Sequence, residues 1–157
     1  MHIHWSNTAV IERPIDELWA IFVDLFNTPR LPGGSMALRL TTPGPMALGS
    51  TAEGRRMILG FETKITERVE EWDPPKLMGV VIEGRQFKAY EHFTLETGTD
   101  GTLCVDSLDI ELRMPLKLIG LLLEPILRRQ RTAQFRQMQT MFENGFGRQR
   151  ETDVSGA

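Results

Sequence analysis

Three carboxylates stand in phase with the apolar residues of three different strand-like segments. Glu67 keeps step with Ile65 and Val69, Glu91 with Phe87, Ala89, Phe93 and Leu95, and Asp106 with Cys104, Leu108, Ile110 and Leu112. Side chains of a strand alternate between its two faces, so a carboxylate in phase with an apolar set is carried toward the core. An unpaired carboxylate is costly there; such a group pairs with a cation, takes up a proton or lines a wet cavity. A carboxyl held in a cavity suits general acid or base work, which makes Glu91 and Asp106 candidate catalytic residues. The plainer alternative is pairing with Arg39, Arg55 or Arg131, or a bulge that turns one of the three outward.

Tyr90 is the third acid/base candidate. It shares a strand face with His92, but Lys88 and Thr94 share that face too, and the alternation favours a solvent-facing histidine. His2 and His4 also share a face and could chelate a metal, yet no third ligand accompanies them. Cys104 is the single cysteine, so there is no intramolecular disulfide and no cysteine-rich metal site. No G-x-S-x-G, P-loop, dinucleotide fingerprint or H-E-x-x-H occurs. No metal and no cofactor are expected.

The elements that must position these groups can be read from periodicity. Ile3 to Ile11 alternates, with Ile3, Trp5, Ala9 and Ile11 on one side, and predicts a first strand. Pro14 ends it and suits the first turn of a helix, where Asp16 and Glu17 face the N-terminal dipole favourably. Ile15, Leu18, Trp19, Phe22 and Val23 give that helix its apolar stripe. Asn27 to Gly34 breaks the chain into a loop with room for one short helical turn. Met36, Leu38 and Leu40 then open a run of strands: Gly49 to Ile58, Phe61 to Asp73, Lys76 to Glu83, Phe87 to Leu95, and a return strand after Thr99, Asp100 and Gly101, a strong hairpin signal.

Leu116 to Phe142 predicts a long helix. On a helical wheel Ile119, Leu122, Leu123, Ile126, Leu127, Met138, Met141 and Phe142 share a broad arc that is expected to be buried. Phe135 falls at its margin. Gln130, Arg131 and Gln134 interrupt the arc and need partners. Pro125 predicts a kink or break near Leu121 to Glu124, giving a short leading segment and then a long helix.

At 157 residues with 41% hydrophobic and 25% charged, the chain suits one soluble domain over residues 1–144, with a polar, mobile tail over 145–157. A net charge of -3 argues against general nucleic-acid binding. Arg128, Arg129, Arg131 and Arg136 read as a solvated helix face. No secretory signal is evident at the N-terminus, and a cytoplasmic location is expected. Lys117 and Glu124 interrupt the apolar run from Met114 to Leu127, which is too short for a membrane span; stable insertion is not expected.

One strand, a helix, about six strands in a meander and a long last helix describe an α+β protein. With Ala9 to Trp19 and Asp24, Gly49 opening a strand, V-E-E-W-D-P-P from Val69 to Pro75, and Phe93 followed by Gly101 and Thr102, the chain resembles the SRPBCC superfamily. Its START-like polyketide cyclase/dehydrase and lipid-transport members are the nearest in pattern. The resemblance covers about Ile3 to Glu143. It implies a helix-grip fold: a curved antiparallel sheet of about seven strands wrapped around the C-terminal helix, with one or two short helices after the first strand. It also implies a cavity for a hydrophobic or amphipathic ligand such as a lipid or polyketide, and, in some members, cyclisation or dehydration. No catalytic residue can be carried over, because the superfamily shares no single catalytic motif.

On this reading Met36, Leu38, Leu40, Phe87, Glu91, Phe93, Asp106, Leu108, Leu123, Ile126 and Gln130 are expected to line the cavity. The alternatives are a cyclase or dehydratase using Glu91, Asp106 or Tyr90, and a lipid or quinone carrier. The carrier would meet membranes or partner proteins through the loops Thr28 to Gly34 and Thr42 to Leu48. Monomer and homodimer both remain open.

Overall fold

The computed structural model describes residues 1–27, 39–58, 61–114 and 116–144. Its elements are β1 (His2–Ile11), α1 (Ile15–Asn27), β2 (Arg39–Leu40), β3 (Thr51–Ile58), β4 (Phe61–Asp73), β5 (Leu77–Gly84), β6 (Phe87–Thr97), β7 (Thr102–Leu112) and α2 (Leu116–Asn144). The strands form one antiparallel sheet in the order β1-β7-β6-β5-β4-β3-β2. Six of the seven follow as a meander, and the first strand closes onto the last. This is the α+β helix-grip architecture, with α2 packed along β1 and β7 and α1 against β6. A second helix after β1, and Met36 and Leu38, expected to line a cavity, fall outside the described residues, as does the tail over 145–157.

The inner face follows the strand parity. Ile3, Trp5 and Ile11 of β1, Ile65 and Val69 of β4, Phe87, Ala89, Phe93 and Leu95 of β6, and Cys104, Leu108 and Leu112 of β7 are all buried in one core. In β4 the register shifts between Val69 and Glu71. That bulge restores Trp72 to the inner face, opposite Met78, where its ring meets Trp19 of α1 at 5.1 Å. Phe22 of α1 stacks on Phe93 at 3.8 Å, which fixes the helix over β6.

Helix α2 departs from expectation in three respects. It runs unbroken from Leu116 to Asn144 through Pro125, so the predicted break is not made. Pro125 and Leu121 both lie on the water side of the helix, where solvent can satisfy the carbonyl that the proline leaves without a donor. Secondly, the buried stripe is not the predicted arc: it passes through Leu116, Gly120, Leu123, Leu127, Arg131, Phe135, Met138 and Phe142 at successive steps of three or four residues. Ile119, Leu122 and Ile126, assigned to the buried arc, are instead exposed. Thirdly, Phe135, read as marginal, is buried at 6% exposure with its ring against Trp5. The first three turns of α2 are apolar on nearly every side, so periodicity there carries no phase; Phe135 and Phe142 set it from the second half.

Candidate functional site

Arg131 stands at the middle of the buried stripe of α2 and points its guanidinium at the floor of the sheet. It lies over the indole of Trp5, 5.1 Å from the ring centroid, a cation–π arrangement. Phe135 meets the same indole edge-on at 6.3 Å. One terminal nitrogen, Nη2, donates to Glu91 and lies 3.3 Å from Oδ2 of Asp106, while Nη1 donates to Oε1 of Gln134 at 3.4 Å. Side-chain exposure is 15% for Arg131, 17% for Glu91 and 7% for Asp106. These are interior charges.

The sheet register explains the convergence. Glu91 pairs across β6 and β7 with Leu108, and Phe93 pairs with Asp106, so the two carboxylates are diagonal neighbours on the inner face. Glu67, buried at 5%, comes from the same face of β4, opposite Ile82, and adds its field to Arg131. Burial works against the arginine charge, but the carboxylates of Glu91, Asp106 and Glu67 outweigh it and hold the Arg131 pKa above its ordinary value. Nε of Arg131 is buried and has no acceptor among the described residues.

Of the other expected lining residues, Phe87, Phe93 and Leu108 are buried in the core, and Leu40 and Leu123 are half-buried against it. Gln130 is half-buried. Ile126 is 54% exposed and does not face the sheet, so its assignment to the cavity is corrected. Tyr90 is corrected as well. It projects from the opposite face of β6, under Lys88, whose Nζ sits 5.1 Å from the ring centroid, and the sheet separates it from Glu91 and Asp106. His92 shares that outer face and pairs with Glu71 at 3.0 Å, and His4 pairs with Asp109 at 2.8 Å. Cys104 is buried, and burial pushes its thiol up to about 12, which removes it as a nucleophile at neutral pH.

Sequence reasoning named Arg131 only as one of three partners for the carboxylates and did not place Trp5 and Phe135 beside it. The available signal was the spacing of Arg131 from Leu127 and Phe135, four residues each way. Beside Glu67 lies a hollow of about 10 Å³, bounded by Leu40, Met46, Ala52, Val69 and Val80, with room for about one water. A larger cleft of about 330 Å³ opens at the rim, lined by Val10, Ile11, Glu12, Arg13 and Glu143.

The fold has many solved counterparts. Zhui aromatase/cyclase from Streptomyces sp. R1128 superposes with a TM-score of 0.73 at 15% identity, covering 91% of this chain and 94% of that one. The di-domain ARO/CYC StfQ from the steffimycin biosynthetic pathway gives 0.74 at 12% identity, over 96% of this chain and 52% of that one. Ara h 8.0201 gives 0.66 at 12% identity, over 92% and 100% of the two chains. No curated protein matches the chain. The family model described as polyketide cyclase / dehydrase and lipid transport matches residues 2–143, and the chain belongs to that family.

Proposed function

We propose that the protein binds a hydrophobic or amphipathic small molecule, a lipid, a polyketide or a related compound, between the sheet and α2. The group formed by Arg131, Glu91 and Asp106 takes the polar end of the ligand. One observation carries this reading: a cation and two carboxylates are kept in the middle of an otherwise apolar face, at exposures of 7–17%. A buried ion pair contributes little net stability, so stability alone is a weak reason to keep one. The unsatisfied Nε of Arg131 offers a ligand carbonyl or hydroxyl a charged donor. Apolar walls with a few placed polar groups are the usual form of a small-molecule site.

A second reading, cyclisation or dehydration of a polyketide-like substrate, is favoured by the meeting of Glu91 and Asp106 on one guanidinium. One carboxylate would take a proton next to a carbonyl while Arg131 stabilises the charge developing on its oxygen. The family match and the aromatase/cyclase neighbours support this chemistry as a class. A carrier of lipid or quinone would use the same site without proton transfer.

The deciding experiment titrates fatty acids, sterols, quinones and aromatic polyketides against the protein, read by tryptophan fluorescence because Trp5 borders the site. At least one class is expected to bind. The neutral triple variant Arg131→Met, Glu91→Gln, Asp106→Asn is expected to bind it about tenfold or more weakly, since a charge-assisted hydrogen bond is worth about 1.5–3 kcal/mol. Binding unchanged in that variant would remove the polar anchor, and no binding by the wild type to any class would remove the ligand reading. Turnover of a bound polyketide by the wild type that is lost in Glu91→Gln while binding is kept would favour the cyclase; binding with no turnover by the wild type would favour the carrier.

A further inference from the structure

Among the described residues, the outer face of the first three turns of α2 has no partner. Leu118, Leu121 and Leu122 are 75%, 78% and 75% exposed, Ile126 is 54% and Ile119 45%, and Met114, just before the helix, is 62%. None of these residues belongs to the core or packs against it. Because they fall at steps of three and four residues, they form a continuous apolar band on the side of the helix away from the sheet. Scattered exposed apolar residues need no explanation; a contiguous band of this kind marks an interaction surface.

The charges around the band identify its partner. Between Arg113 and Arg129 the chain carries Arg113, Lys117, Arg128 and Arg129 against the single acid Glu124, a local charge of four minus one, or +3, in a molecule whose net charge is -3. Lys117 stands one turn before Leu121, and Arg129 one turn after Pro125 and Ile126. Arg113, Lys117 and Arg129 are exposed, and Arg128 holds Glu124 at 2.8 Å, which screens the one negative charge. An apolar band edged by cations is what a helix lying in the plane of an anionic bilayer requires: the leucines enter the acyl boundary while the lysine and arginines stay among the headgroups. A twofold contact between two copies would instead bring the same cations together. Among the described residues no helix is long and apolar enough to cross a membrane, so the contact is peripheral.

We propose that this protein docks on anionic lipid surfaces through the outer face of α2, with Leu118, Leu121, Leu122 and Ile126 inserted and Lys117 and Arg129 at the rim. The surface is separate from the interior site and from the loop Thr42 to Leu48, and the proposal stands whether or not that site takes a ligand.

The test is flotation of the full chain with vesicles of phosphatidylcholine alone and of phosphatidylcholine with phosphatidylglycerol, together with sedimentation velocity of the protein alone. The wild type is expected to float with the anionic vesicles and to stay behind with the neutral ones. Leu121→Glu with Leu122→Glu, on a face against which none of the described core residues packs, is expected to keep the wild-type thermal transition and to lose flotation. Lys117→Gln and Arg129→Gln are each expected to lower the partition onto anionic vesicles about fivefold. Absence of wild-type flotation, or flotation unchanged in the double glutamate variant, overturns the proposal. So does a dimer that the double variant dissociates, since the face would then be a subunit interface.

Discussion

Arg131 is held by carboxylates from two strands, and its loss would leave both in the interior without their cation. Arg131→Met is therefore expected to destabilise the protein by about 3–5 kcal/mol. The triple variant Arg131→Met, Glu91→Gln, Asp106→Asn removes the charges together and is expected to recover most of that loss. Urea midpoints of the two variants check this: if they are equal, the cost lies in packing against Trp5 and not in charge. Cys104 gives a prediction in pH. Its folded thiol titrates near 12 against about 8.5 in an unfolded chain, so the unfolded state ionises first. The contribution is intact below about pH 8.5 and is lost as pH rises from there toward about 12. Between about pH 8 and 10.5 the wild type is expected to lose stability more steeply than Cys104→Ala; urea titrations of both proteins at the two pH values check this, and equal losses would refute it.

At the scale of elements, the contrast is between the two helices. Phe135 is buried on Trp5, whereas Trp19 is half-buried between Phe22 and Trp72. Phe135→Ala is expected to cost about 3–5 kcal/mol and Trp19→Ala less, the reverse of what the helical wheel implied. A lower denaturant midpoint for Trp19→Ala than for Phe135→Ala would restore the sequence-based order. Wheel reasoning failed at α2 for a definable reason. Where every position from Leu118 to Leu123 except Gly120 is a leucine or isoleucine, no face is less apolar than another, and the sheet makes the choice. It succeeded at α1, where Asp16, Glu17 and Ala20 mark the wet side and Leu18 and Phe22 the dry one.

The sheet is closed by β1, which pairs along its length with β7, more than ninety residues later in the chain. One small residue governs that closure. Gly101, at φ +135 in the β6–β7 turn, lies so close to the chain that a Cβ would run into the carbonyl of Ile11 at the end of β1. Nearby, the hydroxyl of Thr102 donates to the carbonyl of Arg13 at 2.7 Å, tying the same corner. Gly101→Ala combines a strained backbone with a backbone clash, and is expected to cost more than about 1 kcal/mol. A variant as stable as the wild type by thermal melting would mean that β1 can shift away from the turn without loss.

Strand parity was legible from sequence because a period of two leaves a strand a single choice of face. Phe93, Leu95, Cys104 and Leu108, in step on either side of Asp100 and Gly101, had to share the inner face, and Glu91 and Asp106 had to follow them. The order of elements, the start of α1 just after Pro14 and the hairpin before Thr102 were equally local. What only the tertiary structure decided was which cation meets those carboxylates, and which side of α2 meets the sheet. Arg39, Arg55 and Arg131 are equivalent as charges. The register of β6 on β7, the closure of β1 beside them and the phase set by Phe135 and Phe142 bring Arg131 to Glu91, 40 residues away in sequence. The same rotation turns Leu118, Leu121 and Leu122 to the outside, because a helix lying on one sheet can bury one side only, and the chain supplied apolar residues for both.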